Sequence, residues 1–205
     1  RTNRREQRRD ELKGAAIDVF HEHGYHTAKV SDIVQQVGVA QGTFYLYFEG
    51  KQQLFGEILV DFLQLVVSTV ASWEPGEIDS REVLSQELTR VGMMLTEVLL
   101  EHQKLTAIFF KEALAVAPEF DETIRQFYET LQAMLTDFNA ILCDRGLISA
   151  MNFRILASMT VGMAERVILE HIVYQNLGDP EPREVVEHLV MHYLAGTIEA
   201  APSST

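Results

Sequence analysis

Apolar side chains recur at helical spacing through almost the whole chain, and glycine and proline alone interrupt them. Leu12, Ala15, Ala16, Val19 and Phe20 stand at i, i+3, i+4, i+7 and i+8, one stripe of a helix that stops before Gly24. Val30, Ile33, Val34 and Val37 repeat the spacing, and Gly38 follows where a left-handed residue closes a helix. A third helix must begin within about three residues. There "GVAQGTFYLYF", residues 38–48, packs four aromatic rings into its last five positions. The i, i+3, i+4 rule puts Phe44, Tyr47 and Phe48 on the inner face and turns Gln41, Gly42, Thr43, Tyr45 and Leu46 outward. Two short helices joined at a tight glycine turn, the second with a polar and aromatic outer face, form a helix-turn-helix pattern.

A long apolar-striped helix is predicted over about 51–73, then a linker, "EPGEIDSRE", then helices over about 81–101, 103–115, 118–145, 149–175 and 182–199, broken at Pro118, Gly146 and "GDPEP". Strand-like alternation, internal repeats and low-complexity tracts are absent from the sequence. The expected fold is all-α: an N-terminal three-helix helix-turn-helix domain over 1–50, and a C-terminal helical bundle over 51–205 with helix 51–73 as connector.

A net charge of -13 looks wrong for a partner of nucleic acid until it is divided along the chain. Residues 1–56 carry eight basic and seven acidic side chains, whereas residues 57–205 carry nine and twenty-three. Within residues 1–13 six basic side chains face three acidic ones, a local excess able to meet phosphates. Cys143 is the single cysteine, so neither an intrachain disulfide nor a cysteine-based metal cluster is possible, and a reducing compartment fits. No uncharged apolar run approaches the roughly 18 to 20 residues that span a bilayer, so a cytoplasmic protein without a membrane partner is expected.

Over residues 15–55 the sequence resembles the N-terminal domain of the TetR family of one-component transcriptional regulators. The resemblance rests on "AA...F...GY" in the first helix, "V..I....GV" in the second and "GTFY.YF..K..L" across the third and fourth. It implies double-stranded operator DNA as partner and a homodimer as the working form. The residue chemistry agrees: Gln41 can bond an adenine edge, Gly42 lets the helix start approach DNA, and Tyr45 offers a hydroxyl and a ring for a thymine methyl. Thr43, Tyr47 and Lys51 suit phosphates. The resemblance places Gln41, Gly42 and Tyr45 on bases and Thr43, Tyr47 and Lys51 on the backbone, and adds Val30 and Ser31 as further contacts. Ala40 and Gly50 stand where the family often has a capping side chain, which predicts weakly capped third and fourth helices.

The C-terminal helices suit a binding domain. Phe62, Met93, Met94, Phe109, Phe110, Phe127, Tyr128, Met134, Phe138, Met159 and Met163 could wall a pocket for a small apolar or amphipathic effector, drug-like or fatty acyl-like, with Arg166 at its polar end. Core packing is the commoner role for each of them, and pairing with Glu170 at i+4 the commoner one for Arg166. "FFKEA....PEF" resembles family members that sense fatty acyl compounds. Arg90, Asn139 and His171 also interrupt apolar helices. His21 and His23 point about 200° apart on a helix, which argues against a metal site with His26, and His188 with His192 suits an interface helix. Small and apolar residues on the last two helices, Ala157, Gly162, Ala164, Val186, Leu189 and Ala195, permit packing against a second copy. An enzyme is the chief alternative. A di-iron bundle would need paired Glu-x-x-His motifs, and neither these nor a P-loop, nucleophile elbow or dinucleotide fingerprint occurs, so no cofactor is expected. The expected mechanism has the effector in the C-terminal domain releasing DNA through helix 51–73, a lever about 35 Å long at 1.5 Å per residue.

Overall fold

The computed structural model describes residues 2–74, 76–113, 118–174 and 180–197. Pro75 in the predicted linker, residues 114–117, residues 175–179 with the start of "GDPEP", and residues 198–199 at the end of the last predicted helix lie outside the described residues.

Among the described residues the regular elements are all helical. They are α1 (Thr2–His23), α2 (Val30–Val37), α3 (Gln41–Phe44), α4 (Lys51–Ala71), α5 (Arg81–Glu101), α6 (Gln103–Ile108), α7 (Asp121–Asp144), α8 (Phe153–Ile168) and α9 (Pro182–Gly196). The helix expected from 103 runs on from α6 into a π turn, Phe109–Ala113, and a 3-10 turn, Pro118–Phe120, leads into α7. The helix expected from 149 begins at Phe153, because the Asn152 side chain caps it by accepting from the Ile155 amide at 3.2 Å. It likewise ends in a π turn, Leu169–Val173.

The chain forms two compact units, Arg1–Leu65 with His102–Ile124, and Val66–Glu101 with Arg125–Thr205. A boundary at residue 50, as read from the sequence, does not coincide with this division. In the first unit α1 packs on both α2 and α6. Phe20, Tyr25, Phe55 and Phe120 form an aromatic cluster with neighbouring ring centroids from 4.4 Å (Tyr25 to Phe55) to 6.2 Å (Tyr25 to Phe120) apart. Lys104 on α6 donates to Asp18 on α1 at 2.6 Å, and that bond, before any other influence, holds the Asp18 carboxyl below its ordinary range. Residues fifty to a hundred positions downstream thus complete the N-terminal core.

By length and composition α4 could cross a membrane. The fold uses it otherwise: Leu54, Phe55, Ile58, Leu59, Phe62 and Leu63 are buried, while Glu57 and Asp61 pair with Arg9 and Lys13 of α1. Glu57 and Asp61 also interrupt the apolar run of α4 in the sequence.

The second unit has a core of Ile78, Leu84, Leu142, Leu147 and Ile148, with Phe138, Phe153 and Leu194 packed against it. Arg81 ties it together by donating to the carbonyls of Leu147 at 2.7 Å and Leu194 at 2.6 Å. Asn139 is fully buried and accepts from the Tyr193 hydroxyl at 2.5 Å, and burial pushes that hydroxyl's pKa up to about 12. Arg90 holds Glu87 at 2.7 Å and the Glu74 carbonyl at 2.9 Å. Gly92 of α5 faces Val186 of α9, and a Cβ there would stand 2.6 Å from Val186 Cγ1. Gly92→Ala should therefore lower stability by about 1–3 kcal/mol through overpacking, read as a fall in the urea midpoint.

Candidate nucleic-acid interface

The turn between α2 and α3 has a local cause. Gly38 adopts φ 73°, and the amides of Gly38 and Val39 donate to the carbonyls of Gln35 and Val34 at 3.1 and 3.0 Å, closing the C-terminus of α2. At its other end the Asp32 carboxylate accepts from the Lys29 amide at 3.0 Å. Ala40 gives α3 no side-chain cap, as the sequence predicts. Gln53 compensates in part at α4, its side chain accepting from the Glu49 amide at 2.7 Å.

The rings of the aromatic run separate by face. Phe44 and Phe48 are buried, Tyr47 is half-buried, and Tyr45 and Leu46 are 54% and 70% exposed. Gln41, Gly42 and Ser31 are exposed with them, and Val30 and Thr43 are half-buried. α3 is only four residues long, and 3-10-type bonds from Leu46 to Thr43 and from Tyr47 to Phe44 extend it to Phe48. Gly42 has helical backbone and open space where a Cβ would stand. Neither its conformation nor its neighbours in the chain call for glycine, which is a poor helix former.

Two cations fix this surface from behind. Arg9 of α1 donates from Nη1 to the Tyr47 carbonyl at 2.9 Å and from Nη2 to both carboxylate oxygens of Glu57 of α4 at 2.6 and 2.5 Å, and its guanidinium lies 4.4 Å from the Phe48 ring centre. Lys51 donates to the carbonyls of Tyr25, Ala28 and His26 at 2.6, 2.9 and 3.1 Å and lies 4.7 Å from the Tyr25 ring centre. All three ammonium donors are occupied, and desolvation lowers its pKa although Glu119 opposes this. A phosphate contact of the kind read from the sequence would require Lys51 to give one of these bonds up. Leu46 lies on the same outer face, as its spacing in the sequence indicates. Arg9 left no local signal, since its partner is 48 positions away.

Of the residues expected to line an effector pocket, Phe62, Phe109 and Phe110 belong to the first unit, where Phe62 and Phe109 rings lie 6.1 Å apart, and the remaining nine belong to the second. In the second unit Tyr128 donates to Glu165, Trp73 and Phe138 rings stand 5.2 Å apart, and Met93, Met94, Phe127, Met134 and Met163 are half-buried. Met159 is exposed, and Arg166 pairs with Glu170 on the surface. A cavity in this unit, between α5, α8 and α9, is lined by none of the twelve.

A glycine-closed α2, a short α3 with an unburied outer face and an inner face clamped to α1 and α4 define a helix-turn-helix DNA-binding protein. Residues 14–58 match the family described as bacterial regulatory proteins, tetR family. The chain is 32% identical over 140 residues to YdgC, an HTH-type transcriptional regulator of Bacillus subtilis, an alignment spanning 60% of this chain and 70% of that one. It is 29% identical over 117 residues to KstR2, an HTH-type transcriptional repressor of Mycolicibacterium smegmatis, covering 56% and 55% of the two chains. The solved structure of the fatty acid degradation regulator FadR from Bacillus halodurans superposes with a TM-score of 0.76 at 24% identity, over 92% and 95% of the chains, a likeness of fold. This chain belongs to the TetR family of transcriptional regulators; it is a DNA-binding regulator, not an enzyme.

Two outcomes test the support behind α3. Lys51→Met should destabilise the first unit by about 1.5–3 kcal/mol in the absence of DNA, because three carbonyls lose a charged donor, and thermal unfolding monitors it. Burial, then the 3.1 Å bond to Glu119, pushes the Tyr25 hydroxyl from 10.0 up to about 12. An acid with a raised pKa favours the fold fully below pH 10 and progressively less as pH climbs towards 12. The urea midpoint should fall across that window, and less steeply in Tyr25→Phe.

Proposed function

We propose that the chain is a cytoplasmic repressor that binds a palindromic operator as a homodimer and leaves it when a small, largely apolar effector occupies the second unit. Gln41, Gly42 and Tyr45 read bases in the major groove, with Leu46 against a thymine methyl, and Val30, Ser31, Thr43 and Tyr47 meet the backbone. The observation that carries this reading is Gly42. A glycine kept in an exposed helix, with space for a Cβ, is explained by something that approaches from outside the chain.

One α3 spans only a few base pairs, so useful affinity requires two held about one helical turn apart. The last two helices offer the means. Ile155, Met159 and Gly162 form an exposed stripe on α8, and His188, Met191, His192 and Ala195 form another on α9. Ala157 and Val186, expected at the same interface, are buried in the monomer's own core. Repression is supported by the likeness to KstR2, a transcriptional repressor, and an acyl-type effector by that to FadR of Bacillus subtilis, whose solved structure is a complex with stearoyl-CoA. Linkage limits the effector to its differential affinity for the free and DNA-bound forms, commonly about 1–3 kcal/mol.

The test is selection of duplexes from random sequence, followed by footprinting and sedimentation on the selected site. A palindrome carrying two chains is expected; a non-palindromic site filled by one chain would refute the reading. On that duplex Gly42→Ala should bind about tenfold or more weakly while the protein itself becomes no less stable, since alanine favours the helix.

A further inference from the structure

Arg9 is one of the six basic side chains of residues 1–13, the cluster that the sequence offers to DNA phosphates. The structure commits its guanidinium elsewhere. Nη1 donates to the Tyr47 carbonyl at 2.9 Å, Nη2 donates to both carboxylate oxygens of Glu57, and the Phe48 ring lies against its face with the centroid 4.4 Å away. Each nitrogen and the face thus serve a different residue, which fixes the group both in position and in plane. A lysine ammonium could pair with Glu57, but it has neither a planar fork nor a face to lay on a ring. Moving Arg9 to a phosphate would give up these charge-assisted bonds, which are stronger than those between neutral groups.

The partners of Arg9 stand at the far end of the run that turns outward from the fold. The amides of Leu46, Tyr47 and Phe48 donate to the carbonyls of Thr43, Phe44 and Phe44 at 3.2, 2.9 and 3.1 Å, and the Tyr47 carbonyl, the next in the run, is the one that Arg9 takes. Gly38 closes the near end of the run and Arg9 the far end. Base readout depends steeply on the distance and angle of each hydrogen bond, whereas attraction to phosphates depends mainly on charge. A run held at both ends therefore matters more for telling one duplex from another than for holding any duplex. We propose that Arg9 is a positioning residue that sets operator specificity without touching DNA: through the Tyr47 carbonyl and the Phe48 ring it holds residues 41–46 in the pose that bases select. The proposal rests on the reading of α3 as the base-contacting element.

The test compares the full wild-type chain with Arg9→Met and Arg9→Lys, each at a temperature where circular dichroism shows it folded. Amide hydrogen exchange is measured on the free proteins, and affinity for the selected operator duplex and for a scrambled duplex is measured over a range of salt. Arg9→Met should speed exchange at Leu46, Tyr47 and Phe48 about fivefold or more relative to the amides of α7. It should also lower the ratio of operator to scrambled affinity about tenfold, with the salt dependence of scrambled binding unchanged. Arg9→Lys, which keeps the charge and can pair with Glu57, should recover the melting temperature more fully than the ratio. An unchanged ratio in folded Arg9→Met would overturn the proposal, as would full recovery of the ratio in Arg9→Lys, since charge alone would then suffice. A salt slope smaller by about 0.9 per chain in Arg9→Met would overturn it too, because Arg9 would then be neutralising a phosphate. A wild type that selects no duplex would sink the base-contacting reading and the specificity role with it, and faster exchange in Arg9→Met would then support the clamp alone.

Discussion

Tyr25 is the residue on which the first unit depends. Its ring stands between Phe20, Phe55 and Phe120, its amide donates to the Glu112 carboxylate at 3.2 Å, its hydroxyl donates to Glu119, and its carbonyl accepts from Lys51. One side chain and its peptide groups thus join the loop after α1, the start of α4 and the segment His102–Ile124. The burial is apolar and large, and each polar group taken from water has found a partner, which is the condition for such a cluster to stabilise. Gly24 beside it takes φ 75°, and a Cβ there would stand 3.3 Å from Glu112, so the turn admits the carboxylate and positions the ring together.

From that hub the recognition surface is defined by contrast. The inner side of α3 is anchored by buried Phe44 and Phe48, and Arg9 holds the Tyr47 carbonyl, one of those a helix end leaves unbonded. Its outer side makes little use of its own side chains within the chain. An element this short, four residues of α-helix, is too brief to persist on its own propensity, so its geometry is imposed by α1 and α4. Rigidity supplied from behind is what a reading head requires, since base contacts discriminate only when the donors and acceptors arrive already placed.

Local periodicity made the fold legible. The stripes of α1 and α2, the left-handed Gly38 and the inward Phe44 and Phe48 all follow from spacings of three and four, and the structure places them as read. α5 runs over the residues expected, because linker and apolar stripe delimit it at both ends. What the sequence could not disclose is non-local. Nothing near Lys51 announces three carbonyls from a loop more than twenty positions earlier, and nothing near Phe120 announces Phe55. Residue type is also a weak guide to where a cavity forms: methionines and aromatics suggest adaptable walls, whereas the cavity of the second unit is walled largely by leucine and valine, residue types that read as ordinary core.

Charge shows the same difference between composition and placement. The basic excess of residues 1–13 looked like a patch for phosphates, but much of it is neutralised within the fold: Arg8 pairs with Glu11, Arg9 with Glu57, and Lys13 with Asp61 and Glu57. Lys104 is held by Asp18, and Lys51 by main-chain carbonyls. Arg4, Arg5 and Lys29 remain exposed. Non-specific affinity for DNA grows with the number of phosphates a protein neutralises, because each releases condensed counterions. A first unit with few uncommitted cations, in a chain of net charge -13, gains little from that source. On the proposed reading, the direct fit of α3 to its site then carries more of the affinity than phosphate neutralisation does.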